Sequence, residues 1–137
     1  MPAGLAHPHR RFTPGDTVTL DLAVRPRLTA PDARIDAVRG CAAIERGPVV
    51  YCLESVELPP GLGPDTLRLD AGAAPADRDG GVGITCRVVP AEDTAWPYAP
   101  RPATDPAGDP ITVTLRPYHD WASRGPSTMR VWIPLAD

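Results

Sequence analysis

Apolar and polar residues alternate with period two in several short runs of this chain, and no run follows the 3.6-residue period of a helix. Val18, Leu20, Leu22 and Val24 alternate with Thr17, Thr19, Asp21 and Ala23, which predicts a strand over Thr17–Arg25 with one apolar face. Phe12-Thr13-Pro14-Gly15-Asp16 supplies the turn that launches it, and Pro26 ends it. Short strands are predicted over Arg34–Val38 and Gly40–Ile44. After a Gly47-Pro48 corner, Val49–Glu54 is apolar on both faces as far as Glu54, the pattern of a central strand covered on both sides. Gly83–Val89, Ile111–Arg116 and Met129–Pro134 complete the set, with Thr66–Leu69 as a short edge strand. Between them, residues 55–82 and 90–110 are rich in Pro, Gly, Asp and Ala, which predicts long loops.

About seven short strands separated by turn signals imply an all-β fold, an antiparallel β-sandwich of jelly-roll or Ig-like connectivity with long Pro/Gly-rich loops. Residues 1–10 show no period and are expected to be a disordered lead-in, leaving 11–137 as a single β-sandwich domain. Gly47 and Pro48 are expected to form a structural corner, with Gly47 in a backbone conformation that a β-carbon resists.

Composition qualifies this picture without overturning it. The 19 Pro and 12 Gly of the 137 residues approach low-complexity composition, but the alternating runs are those of a folded chain. A net charge of −3 lacks the basic footprint that phosphate binding demands, so nucleic acid is excluded as an expected partner. All 14 cations are Arg, consistent with a GC-rich coding sequence. No run approaches the roughly 20 apolar residues of a membrane span, and no apolar h-region follows the N-terminal charges, so no membrane association and a cytoplasmic location are expected. Cys41, Cys52 and Cys86 show no metal-ligand spacing and lie within or beside apolar runs, which reads as buried free thiols.

The candidate chemistry is sparse. His119-Asp120 with Ser123 or Ser127 has the residue types of a triad, but neighbours on a strand point to opposite faces and no third group is nominated. Trp96 and Tyr98, in the Trp96-Pro97-Tyr98 loop cluster, could stack on a sugar ring as in a carbohydrate-binding module. Trp132 alternates with Val131 and Ile133 and is expected in the core, and Trp121 is expected to pack against its own turn. A glycosidase needs two carboxyls facing each other at about 5–10 Å. Glu45, Glu54, Glu57, Asp77, Asp79, Glu92 and Asp93 show no spacing that nominates such a pair. Asp77-Arg78-Asp79-Gly80-Gly81 lacks the order of a calcium loop and reads as a solvated turn.

Three segments carry a family resemblance: Phe12-x-x-Gly15-Asp16, Arg46-Gly47-Pro48-Val49-Val50-Tyr51-Cys52-Leu53-Glu54, and Pro117 to Pro134. In order and content they resemble the C-terminal β-sandwich region of glycoside hydrolase family 127, the β-L-arabinofuranosidase-type enzymes. The resemblance implies a catalytic helical barrel N-terminal to this region, with a cysteine nucleophile, a glutamate acid/base and a zinc held by Cys and Glu. None of those motifs occurs here, so the resemblance implies no catalytic residue, no cofactor and no metal role for Cys41, Cys52 or Cys86; the zinc belongs to the barrel. Two positions depart from the family pattern: Phe12 stands where the family usually has Trp, and Ser123 where it has Asn. The implied role is that of a non-catalytic module with a structural or docking function on the barrel, which is its expected partner, with self-association as the alternative. Tyr118, Trp121 and Arg124 are the candidate interface residues, because aromatics beside Arg are common interface anchors. A carbohydrate-binding module using Trp96 and Tyr98 is the second reading, and an independent glycosidase the least favoured.

Overall fold

The computed structural model describes residues 7–89 and 108–136. Nine strands form: β1 (Pro26–Thr29), β2 (Cys41–Arg46), β3 (Val49–Glu54), β4 (Leu67–Leu69), β5 (Ala76–Arg78), β6 (Gly81–Val88), β7 (Pro110–Pro117), β8 (Met129–Arg130) and β9 (Ile133–Pro134). The fold is all-β, as expected, and the only helical pieces among the described residues are three single 3-10 turns. Strand order is β1-β2-β3-β7-β6-β4, with β5 alongside β6, β8 alongside β3 and β9 alongside β2, every pair antiparallel.

This sheet curls into a half-barrel. Its margins are tied where Leu69 and Leu135 form a parallel bridge, with the Leu135 N–H donating to Gly40 O at 2.8 Å and the Ala136 N–H to Leu69 O at 2.9 Å. Curling places alternate residues of every long strand on the concave side. Ile44, Tyr51, Leu53, Leu67, Leu69, Val82, Ile84, Cys86, Val113, Leu115 and Ile133 form one buried cluster there. Each fully buried Leu or Ile contributes about 1.5–3 kcal/mol, against at most about 1 kcal/mol for exposed ion pairs such as Arg34–Asp32, so the core carries the stability.

Two hairpins explain the register. Gly47-Pro48 is a two-residue loop that pairs Arg46 with Val49. Gly47 has φ +56, and the pyrrolidine ring of Pro48 forbids a positive φ, which excludes a type I′ turn and selects the Gly-first type II′ pattern. Asp79-Gly80 joins β5 to β6 with φ +47 and +73, the paired positive values of type I′. Asp-Gly is a strong hairpin signal, yet the segment before it is so poor in apolar residues that β5, exposed throughout, is not predicted by its pattern.

Four expectations are corrected. Thr17–Arg25 forms no strand; the sheet begins at Pro26, which opens β1 instead of ending a strand. The alternation is present, but no strand among the described residues pairs with it, and Val18, Leu20, Leu22 and Val24 remain 66%, 75%, 64% and 45% exposed. Arg34–Val38 is likewise not a strand but a surface turn ending in a 3-10 turn at Asp36–Val38. Met129–Pro134 breaks at Val131-Trp132, because β8 pairs with β3 and β9 with the far edge of β2, so the chain must bend between them; Trp132 is therefore half-buried, outside the core. Cys41 is only partly buried, unlike Cys52 and Cys86.

A β-carbon on Gly47 would sit 2.9 Å from Val24 Cγ1, in addition to the strain of its positive φ. Gly47→Val is therefore expected to destabilise the fold by about 1–3 kcal/mol, read as a lowered Tm. A melt superimposable on the parent would show the corner to be an ordinary loop.

Candidate functional site

β3 is the strand around which the site is built. Tyr51 and Leu53 face the core, so Cys52 and Glu54 point to the convex face, where a one-sided sheet would leave them wet. Both are fully buried, because the segment from the 3-10 turn Tyr118–Asp120 to Thr128 folds over them before β8 pairs with the end of β3. The Ser55 N–H donates to Thr128 O at 2.9 Å and the Thr128 N–H to Ser55 Oγ at 3.1 Å, fastening the far end of that loop.

Glu54 is the only charged residue that is buried among the described residues, and burying a lone carboxylate is prohibitive unless it is paired and hydrogen-bonded. It is both. Arg124 Nη2 donates to Oε1, while Ser127 Oγ at 3.0 Å and the Ala122 N–H at 3.3 Å donate to Oε2. Arg124 also lies 3.0 Å from Glu57 Oε1 through Nε and donates to Asp120 Oδ2 at 2.7 Å through Nη1. Arg116 closes the network from β7, donating to both Glu57 oxygens at 2.9 and 3.1 Å. The Arg124 guanidinium holds the Asp120 carboxyl below its ordinary value, with the Ser123 hydroxyl adding to the effect. Asp120 in turn is the main reason that the Arg124 value is raised.

The network fixes a strained loop. Ala122 has φ +63, a conformation that costs a residue with a β-carbon about 1–2 kcal/mol. Its N–H donates to the buried Glu54 carboxylate, and a hydrogen bond to a charged group is worth about 1.5–3 kcal/mol, enough to hold it there. The loop so held presents Tyr118 and Trp121 outward, 47% and 44% exposed. Trp121, expected to have a turn packed against it, keeps nearly half of its surface open. Ser123, standing where the family pattern has Asn, accepts from Arg124 Nη1 at 3.3 Å, and its N–H donates to Asp120 O at 3.3 Å.

Tyr118, Trp121 and Arg124 are thus brought together on one loop, while Gly47 and Pro48 lie at the opposite end of β3. Trp96 and Tyr98 fall outside the described residues. Sequence reasoning missed the Glu54–Arg124–Glu57–Arg116 network. Its signal was a carboxylate ending an otherwise two-sided apolar strand, but the partner lies 70 positions away and no local spacing points to it. Chemically the cluster is saturated: each of its carboxylates is bound to a guanidinium, and Ser127 donates to Glu54 instead of to a base. Burial, with the neighbouring Glu54 charge, pushes the Cys52 thiol up to about 11, and burial pushes Cys86 up to about 12, so neither is a ready thiolate nucleophile at neutral pH. Among the described residues no three His, Cys, Asp or Glu side chains converge as metal ligands.

The model of the glycoside hydrolase family 127 C-terminal domain matches residues 26–134, most of the chain. The chain belongs to glycoside hydrolase family 127. It is 36% identical over 131 residues to the non-reducing end β-L-arabinofuranosidase of Bifidobacterium longum subsp. longum, covering 86% of this chain and 20% of that protein. Among solved structures it resembles a glycoside hydrolase at 25% identity and TM-score 0.65, covering 83% of this chain and 20% of the other. It also resembles the family 127 β-L-arabinofuranosidase of Geobacillus stearothermophilus T6 at 27% identity and TM-score 0.63, covering 82% of this chain and 18% of the other. The chain thus spans about one-fifth of the length of these relatives and corresponds to their C-terminal domain.

Removing Arg124 leaves the buried Glu54 charge without its cation. Arg124→Met is expected to cost on the order of 3 kcal/mol in urea unfolding, with Glu54→Gln/Arg124→Met costing clearly less than the two single substitutions added together. An Arg124→Met chain within about 0.5 kcal/mol of the parent would show the pair to behave as a surface ion pair.

Proposed function

We propose that this chain is a non-catalytic structural module of a family 127 glycoside hydrolase, which docks through its Tyr118–Gly125 loop on the catalytic part of that protein. One observation carries the reading: the hydrogen bonds of Glu54, Glu57 and Asp120 to Arg124 and Arg116 fix a loop that holds two aromatics, Tyr118 and Trp121, exposed beside an arginine. Rigid, outward-facing Tyr and Trp beside an Arg are typical anchors of a protein interface. Support also comes from the relatives, in which this domain is a fifth of a longer protein named for arabinofuranosidase activity. The module needs no metal or cofactor of its own for this role, and the chemistry on arabinofuranosides would belong to the rest of the protein.

The purified chain is expected not to hydrolyse aryl β-L-arabinofuranosides, with or without added zinc. It is expected to bind the Bifidobacterium enzyme from which the C-terminal fifth has been removed, with Trp121→Ala weakening binding at least about 10-fold in calorimetry, the loss of a modest hot spot. Turnover abolished by a single substitution in this chain, or undiminished binding by the Trp121→Ala chain, would overturn the reading.

A further inference from the structure

Thr17–Arg25 has every feature of a strand except a partner among the described residues. Its residues alternate strictly, it contains no Pro or Gly, and it carries only one charge, Asp21, before Arg25. All nine residues are exposed, and among the described residues its one backbone hydrogen bond is local, from the Val24 N–H to Leu22 O at 2.8 Å. An unpaired run of this kind is a template for strand pairing, which soluble proteins ordinarily cover or blunt with charge.

Both ends of the run are fixed. Upstream, the Thr13 N–H donates to Asp16 Oδ2 at 2.8 Å, the Asp16 N–H to Thr13 O at 3.0 Å and Arg10 to the same carboxylate at 3.0 Å, closing the turn. Downstream, Val24 lies against the Gly47 corner, and the chain passes directly into β1. Because β1 continues the run in the same direction, the run has no turn with which to fold back onto β1.

The sequence shared with a longer relative extends into this run. The family domain begins at Pro26, yet the match to the Bifidobacterium enzyme covers 86% of the 137 residues, about 118, and only 112 lie from Pro26 onward. The shared sequence therefore reaches at least about six residues upstream of Pro26, into the exposed run. In that relative the matched part is only 20% of the chain, and the remainder precedes or surrounds it.

We propose that residues 17–25 are a donor strand that completes an open β-sheet edge in the part of a family 127 protein lying outside the C-terminal domain, with Val18, Leu20, Leu22 and Val24 turned onto that partner's core. The proposal rests on the reading of this chain as a module of a larger family 127 assembly, but it uses a surface separate from the Tyr118–Gly125 loop. Ladder hydrogen bonds give such an arm its affinity, and the alternate apolar side chains give it register.

The test grafts residues 20–25 of this chain into the full-length Bifidobacterium enzyme in place of its matching residues and compares amide hydrogen exchange there with exchange in the isolated full chain. The expected result is at least about 100-fold slower exchange of these amides in the enzyme. Leu20→Arg with Leu22→Arg should abolish that protection and lower the Tm of the enzyme, while leaving the Tm of the isolated chain unchanged. Asp21→Asn with Ala23→Ser, on the other face, should keep most of the protection. Equally fast exchange in both proteins would overturn the proposal, as would equal sensitivity to substitutions on either face. A concentration-dependent dimer of the isolated chain that Leu20→Arg with Leu22→Arg dissolves would also overturn it, by making the partner a second copy. A Trp121→Ala variant that weakens docking but leaves this protection intact would separate the two surfaces, so that either reading can fail alone.

Discussion

The buried carboxylate of Glu54 is the constraint on which the convex side of this domain depends. A charge at zero exposure is tolerated only when its hydrogen-bonding capacity is filled, and filling it requires Arg124, Ser127 and the Ala122 N–H at once. All three come from one loop that is distant in sequence. Once the loop is down, Cys52 is sealed, β8 can pair with the end of β3, and Tyr118 and Trp121 have nowhere to point but outward. The network therefore links the centre of the sheet to the exposed Tyr118 and Trp121.

The concave side obeys a simpler rule. Period-two alternation on curled strands needs only apolar volume to converge, and the Leu69–Leu135 bridge ties the sheet margins around it. The two sides meet in β3, which is why that strand is the most apolar short segment of the chain and why a Gly-Pro corner begins it. Gly81 has a related role at the start of β6, where any β-carbon would collide with the Leu115 carbonyl of the neighbouring strand. Division of labour follows: the core stabilises the domain, and the charged network shapes its surface.

Much of this was legible in the sequence, for identifiable reasons. Val49–Glu54 forms as read because its two apolar faces match a strand covered on both sides. Gly81–Val88 and Pro110–Pro117 form because each has a paired neighbour to satisfy its backbone. The alternation of Thr17–Arg25 is as clean as theirs, yet no strand results, since periodicity reports which face an element would bury and not whether a partner is at hand. Pro26–Thr29, by contrast, has no alternation to speak of and pairs because β2 offers an edge. The candidate site was half legible: Tyr118, Trp121 and Arg124 stand out as an aromatic and arginine cluster, but the carboxylate that organises them is contributed from 70 residues upstream, and no local rule joins the two.

Amide hydrogen exchange at Ala122 is the most direct measure of whether Glu54 clamps the loop. Ala122 is surface-exposed as a residue, so only the bond from its N–H to the buried carboxylate can protect its amide. Protection comparable to that of the Ser55 amide, which donates to Thr128 O at the other end of the loop, is the predicted result. Exchange at Ala122 as fast as in the unpaired Thr17–Ala23 run would contradict the clamp and, with it, the fixed docking surface it is argued to support.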